Sequence, residues 1–190
     1  MENSCIQDEK FEKINFTEKP LAGVAYENCL FAHCDFSNVD LSKISFSGCA
    51  FSGCNLSLAK LTETAFTDAR FKDCKLLGLH FDHCNKFLLS VDFDHCILHL
   101  SSFYKRKLRK TKFRNSNLRE VDFTETDLTE SLFENCDLAR ATFANTILEK
   151  TDFCTAYNYS IDPDLNRIKK AKFSTAGIAG LLDKYDILIE

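Results

Sequence analysis

Sixteen of the eighteen phenylalanines in this chain of 190 residues fall on a single five-residue beat. From Phe11 to Phe81 every fifth residue is Phe, Leu or Tyr, as in Phe11, Phe16, Leu21, Tyr26, Phe31 and Phe36. The beat is then reset and runs from Leu88 through Phe93, Leu98 and Phe103 to Phe153. Five matches neither the 3.6-residue period of a helix nor the two-residue period of a strand. A fixed period of this kind marks a repeat architecture, in which each unit buries its apolar side only by stacking on neighbours.

A second position confirms the register. Two residues before each large apolar residue stands a small one, for example Cys34, Val39, Cys49, Cys54, Ala59, Thr64, Cys74, Cys96, Thr111, Ser116, Thr126, Cys136 and Ala141. The remaining positions are mostly polar or charged. One large and one small inward side chain per five residues describes a narrow tube that turns at every repeat. Like residues align best at a spacing of twenty, so four repeats make one circuit. Phe11, Phe31, Phe51 and Phe71 then form one column, and Phe93, Phe113, Phe133 and Phe153 continue it if two extra residues are inserted near Asn85, Lys86 and Phe87. The same shift puts Leu88 in a column with Phe46, Phe66, Leu108 and Leu128. The insertion therefore reads as a bulge at a corner and not as a domain boundary.

The strings Cys34-Asp35-Phe36-Ser37, Val39-Asp40-Leu41-Ser42, Cys54-Asn55-Leu56-Ser57, Val121-Asp122-Phe123-Thr124 and Thr126-Asp127-Leu128-Thr129 resemble the pentapeptide repeat motif, A(D/N)LXX. The resemblance covers residues 9–156 and implies an all-β fold, a right-handed quadrilateral parallel β-helix. Residues 1–8 are expected to be an N-terminal cap or tail. Residues 157–190 are expected to leave the repeat as a C-terminal segment with a short helical cap.

Composition narrows the function by exclusion. There is no apolar run long enough for a membrane span and no signal-peptide pattern at the N-terminus, so a cytoplasmic protein is expected. Eight of the ten cysteines sit at small inward positions and read as packing residues kept reduced. In His33-Cys34, His83-Cys84 and His95-Cys96 the His faces outward and the Cys inward, so no pair closes on one metal ion; Asp73 is placed to meet His95 one coil away. Polar residues on flat outer faces do not converge as catalysis requires. Neither an enzyme nor a cofactor is expected.

What remains is charge. The segment around Lys105, Arg106, Lys107, Arg109, Lys110, Lys112 and Arg114 is a basic belt, with Arg106 at a nominally inward position. Glu120, Asp122, Glu125, Asp127, Glu130, Glu134 and Asp137 follow as an acidic stretch and are the candidate partner-binding surface. Some pentapeptide repeat proteins, the Qnr-type and mycobacterial quinolone-resistance members, look like duplex DNA and act on DNA gyrase and topoisomerase IV. The resemblance implies a similar DNA-mimicking partner of a topoisomerase; direct nucleic-acid binding by the basic belt is a weaker third reading, because the belt spans one coil and lacks interleaved aromatics. A scaffold for another protein is the alternative, and a continuous acidic stripe would favour the former while a patchwork would favour the latter. Thr175 is placed to cap a helix through Tyr185, with Ile178, Leu181, Leu182 and Tyr185 on one face. These residues, with Ile187, Leu188 and Ile189, would serve either as an end cap or as the contact of a homodimer.

Overall fold

The structure is a computed structural model and describes residues 5–188. The chain coils as a parallel β-solenoid of about eight turns. Short strands pair with their equivalents one circuit away: Cys5–Gln7 with Ala25–Glu27, Lys10–Glu12 with Leu30–Ala32, Lys112–Arg114 with Leu132–Glu134, and Asp152–Phe153 with Lys172–Phe173. The coil thus extends past the expected 9–156 at both ends. Ile6, Ile168 and Phe173 pack on the core from these added portions.

The inward columns explain the beat. Phe11, Phe31, Phe51, Phe71, Phe93, Phe113, Phe133, Phe153 and Phe173 stack in sequence, with centroids 4.8–5.4 Å apart. Phe81, Phe103, Phe123 and Phe143 form a second ring stack whose edges meet the first. Offset stacks and edge contacts are the two favoured aromatic geometries, so the rings fill the tube in low-energy arrangements.

The small inward position has a polar task that its size alone does not reveal. Thr126 Oγ1 donates to the Phe103 carbonyl at 2.8 Å, and Thr146 and Thr151 do likewise to Phe123 and Leu128 at 2.9 and 2.8 Å. Cys49, Cys54 and Cys74 place Sγ 3.3–3.4 Å from the Tyr26, Phe31 and Phe51 carbonyls. A short side chain with a weak or strong donor satisfies a carbonyl at the corner below, which is why Cys, Ser and Thr interchange here.

Most corners are built the same way. The second residue after the large one takes a left-handed conformation at nearly every repeat, as at Lys13, Leu58, Lys105, Glu125 and Lys150. Each such backbone costs roughly 1–2 kcal/mol in an L-residue. It is offset by a bond to the next coil: Lys13 N–H to Ala32 O at 2.9 Å, Glu125 N–H to Ala144 O at 2.8 Å. The Asp or Asn before the large residue closes the turn from the other side. Asp35, Asp122, Asp127 and Asp137 each accept the N–H two residues on, at 2.8–3.1 Å.

The insertion differs from its expected register. Phe66 pairs with Leu89, while Ala69 pairs with Val91 and Phe71 with Phe93. Leu89, not Leu88, packs on the core, and Leu88 is 46% exposed. A β-bulge within residues 66–69, where three steps face two on residues 89–91, takes up the difference. Below the inserted loop, Arg106 is half-buried, with Nη1 donating to the Cys84 carbonyl at 3.2 Å. Its side chain lines a surface hollow shared with Asn85, Lys86 and Phe87 of the loop.

The C-terminal segment is also corrected. Thr175–Leu181 and Asp183–Tyr185 are 3₁₀ turns and not a regular helix, and Ser174 supplies the cap, its Oγ accepting the Gly177 N–H at 3.1 Å. Two glycines explain the tight winding. They lie against Tyr159, and a Cβ at Gly180 would meet the Tyr159 carbonyl at 2.1 Å. Ile161 N–H donates to the Gly180 carbonyl at 2.8 Å, and Leu181 packs on the core, so the segment closes the end of the coil. Closure of this kind covers unpaired strand edges. Gly180→Ala should cost about 1–3 kcal/mol by overpacking against backbone. Amide hydrogen exchange should report it as lost protection at Ile161, with the central coils unchanged.

Candidate interaction surface

Outward side chains repeat every circuit, so residues about twenty apart in sequence become neighbours on one face. This geometry brings the acidic stretch onto the coil next to the basic belt. Asp127 meets Arg109 at 2.6 Å, Glu134 meets Arg114 at 3.0 Å, Glu125 meets Lys105 at 3.5 Å and Asp137 meets Arg119 at 3.6 Å. Glu130 lies between Lys110 and Lys150, at 3.8 and 2.7 Å, and Glu120 pairs with Arg140 at 3.6 Å. Asp122 is occupied as a turn acceptor for the Thr124 N–H. Six of the seven candidate acids therefore face a cation. The surface around them is a patchwork, not a bare acidic stripe.

Lys105, Arg109, Lys110 and Arg114 of the belt are engaged by these pairs, and Arg106 by its inward placement. His95 also departs from expectation: its Nδ1 is 2.9 Å from Asp94, its neighbour in sequence, and not paired with Asp73. The adjacent carboxylate is simply closer than one across the coil.

The pairing has an electrostatic signature. Burial works against the charge on Asp127, but the Thr129 hydroxyl, Arg109 and the Thr129 N–H together hold its carboxyl below the usual carboxylate range. The Lys150 ammonium lowers Glu130. For Asp152, burial again opposes ionisation and is outweighed by the Cys154 N–H and Lys172. A carboxyl depressed in the folded state stabilises the fold above its unfolded pKa of roughly 4, and that contribution is lost as pH falls through the lower folded value. The melting temperature should therefore hold between about pH 5 and 7 and fall steadily below about pH 4. A melting temperature that stays level or rises down to pH 3 would show that these pairs contribute nothing.

Two features stand apart from the regular faces. At the insertion, Phe87 is 82% exposed, with the Lys86 ammonium 5.0 Å from its ring centroid. On the preceding corner, His80, Asp82 and His83 converge through a 3₁₀ turn, Phe81–His83, which the sequence reading of His83 with Cys84 did not anticipate. At the C-terminus, Ile178, Tyr185 and Ile187 are exposed, Leu182 is half-buried and Leu181 is turned to the core; Ile189 lies outside the described residues. Among the described residues no helix is long and apolar enough to cross a membrane.

Stacked pentads, turn-closing Asp or Asn residues and four-sided coiling define a pentapeptide repeat solenoid. The sequence matches the pentapeptide repeat region over residues 24–87 and 78–153, and the chain belongs to that family. Among solved structures it is similar to a trypsin-treated form of QnrB1, a plasmid-mediated fluoroquinolone resistance protein, at 20% identity over 98% of this chain and 97% of that one, with a TM-score of 0.48. It is also similar to HetL, a pentapeptide repeat protein involved in heterocyst differentiation regulation from the cyanobacterium Nostoc sp. strain PCC 7120, at 15% identity over 90% and 87%, TM-score 0.37. A third is Rfr23 from the cyanobacterium Cyanothece 51142, at 13% identity over 74% and 88%, TM-score 0.25. No curated protein sequence matches the chain.

Proposed function

We propose that the protein is a non-enzymatic, cytoplasmic interaction rod that docks on a type II topoisomerase, DNA gyrase or topoisomerase IV, and so protects it from quinolones or other inhibitors. The observation that supports this most is continuity. About eight turns stack with one register shift among the described strand pairs, and at ~4.8 Å per coil they span roughly 38 Å, close to one turn of duplex DNA. A groove shaped for duplex DNA would accept such a rod. The paired charges and the net charge of −4 shift the weight of the mimicry from bare acidity to shape.

A second reading, a scaffold for a different protein, is favoured by the patchwork of charge and by the exposed Lys86-Phe87-Leu88 corner. An exposed aromatic beside a cation is the kind of anchor that dominates protein interfaces. The two readings part in a binding experiment. With gyrase in solution over the immobilised protein, the first expects saturable binding that linear duplex DNA displaces. Absence of binding at micromolar gyrase, with the protein shown to be folded, leaves the scaffold reading.

The exposed apolar residues of the C-terminal segment would serve a second copy of the chain, meeting tail to tail through Ile178, Tyr185 and Ile187. Leu181 belongs to the cap. Light scattering should then give twice the 21.7 kDa monomer mass, and the double variant Ile178→Asp/Ile187→Asp should give the monomer. A monomeric parent protein would remove the dimer.

A further inference from the structure

At nearly every corner of the coil, the second residue after the large one swings outward in a left-handed conformation. The corner after Phe81 breaks that rule. Residues Phe81–His83 wind as a 3₁₀ turn instead, with the Cys84 N–H closing onto the Phe81 carbonyl at 3.1 Å. The change of winding folds His83 back over Asp82. His80, which precedes Phe81, projects from the same face.

The result is a compact three-residue cluster. His80 Nδ1 lies 3.2 Å from Asp82 Oδ1, and His83 Nε2 lies 3.5 Å from Asp82 Oδ2. The two imidazoles are nearly parallel, 4.8 Å between centroids and 13° between planes. One ligand atom from each of the three residues lies within 4.8 Å of the others. A tetrahedral ion with ligands at ~2.0–2.2 Å holds them roughly 3.3–3.5 Å apart. To meet on one centre the two rings must turn out of their stack, which their exposure leaves room for.

We propose that His80, Asp82 and His83 form a binding site for a divalent transition-metal ion, zinc above all. Two imidazoles and one carboxylate are a ligand set for zinc, nickel or copper, and a poor one for magnesium or calcium, which take all-oxygen shells. His80 binds through Nδ1 with its proton on Nε2, and His83 through Nε2 with its proton on Nδ1. Asp82 contributes one oxygen, and water completes the coordination on the open side. Asp82 is the best-sheltered of the three, its side chain 17% exposed against 58% and 55% for His80 and His83. The backbone is already set: Glu63 N–H donates to the His83 carbonyl at 2.9 Å, and Asp82 N–H to Ser102 O at 3.2 Å.

The location gives the site a consequence. Cys84 and the inserted loop follow His83 directly, so an ion at this corner anchors the base of the segment that displays Phe87. Metal occupancy would stiffen that loop whichever partner the rod engages. Cys84 takes no part, since its side chain is buried in the core.

The test uses the full chain without a histidine tag, in a Cys5→Ser/Cys154→Ser background that removes the exposed thiols as competing ligands. Titration calorimetry with zinc chloride should show one equivalent bound, and magnesium chloride no heat. His80→Ala and His83→Ala should each weaken zinc by at least ~10-fold. Both side chains are exposed, so the variants should keep the parent melting temperature in the absence of metal. Hydrogen exchange gives an independent readout: zinc should slow exchange across residues 80–90 and leave the coils around Phe133 unchanged. Zinc affinity unchanged in both His variants, or no saturable binding at submillimolar zinc, would overturn the proposal.

Discussion

Phe113→Ala should destabilise the protein by about 3–5 kcal/mol, the cost of emptying a large buried aromatic site. Phe113 is fully buried, stacked on Phe93 at 5.2 Å and on Phe133 at 4.8 Å, with Phe103 and Phe123 meeting its edges at 6.0 and 5.8 Å. No side chain can slide into the gap, because every neighbouring ring is itself held in a column. In a solenoid each coil is supported only by its neighbours, so the break also uncouples the two ends. Thermal unfolding should fall by on the order of 10 °C and broaden, as the halves separate into distinct transitions. Phe87→Ala provides the contrast. Its ring is 82% exposed, and its removal should change stability by no more than about 0.5 kcal/mol. Equal effects of the two substitutions would refute the column as the source of stability.

The second large effect concerns the thiols. All ten cysteines are free; eight are buried, and Cys5 and Cys154 are exposed. Burial pushes the Cys49 thiol up to about 11 and the Cys136 thiol up to about 12. Since the thiolate is the reactive form, burial removes both access and nucleophile. A thiol reagent at pH 8 should therefore modify two cysteines quickly in the native protein and all ten in denaturant. The slow phase of modification should match the rate of coil opening. Rapid modification of Cys34, Cys54, Cys74 or Cys96 in the native state would mean that this column is not sealed.

The core was legible because the repeat is redundant. Phe31, Phe51 and Phe71 each specify the same column, so periodicity alone places them, and the small Cys, Ser and Thr positions follow. The bulge was legible only in part. Counting residues located it between Phe81 and Phe93 but put Leu88 in the column, whereas pairing to Phe66 selects Leu89. The last turn was missed at Ile161, Ile168 and Phe173 because its spacing passes through Pro163 and the turn before Asn166. Ser174 replaces Thr175 as the cap because Gly177 and Gly180 draw the chain tightly over Tyr159.

Surface relationships were the least legible, since they depend on neighbours about twenty residues away. The run of acids from Glu120 to Asp137 looks like a stripe when read along the chain. On the coil, Arg109, Arg114, Lys110 and Lys150 stand beside those acids. The His80, Asp82 and His83 cluster was hidden for a different reason. It depends on one corner adopting a 3₁₀ turn, and the pentad rule predicts the regular corner there.

The most direct measurement of the functional account is gyrase supercoiling of relaxed plasmid, with the purified protein titrated in the presence and absence of a fluoroquinolone. The account predicts that low concentrations restore supercoiling in the drug-treated reaction and that higher concentrations inhibit the enzyme alone, the two arms of one competition for the DNA-binding groove. No change in either arm, from protein that retains its cooperative thermal transition and two reactive thiols, would contradict a topoisomerase partner.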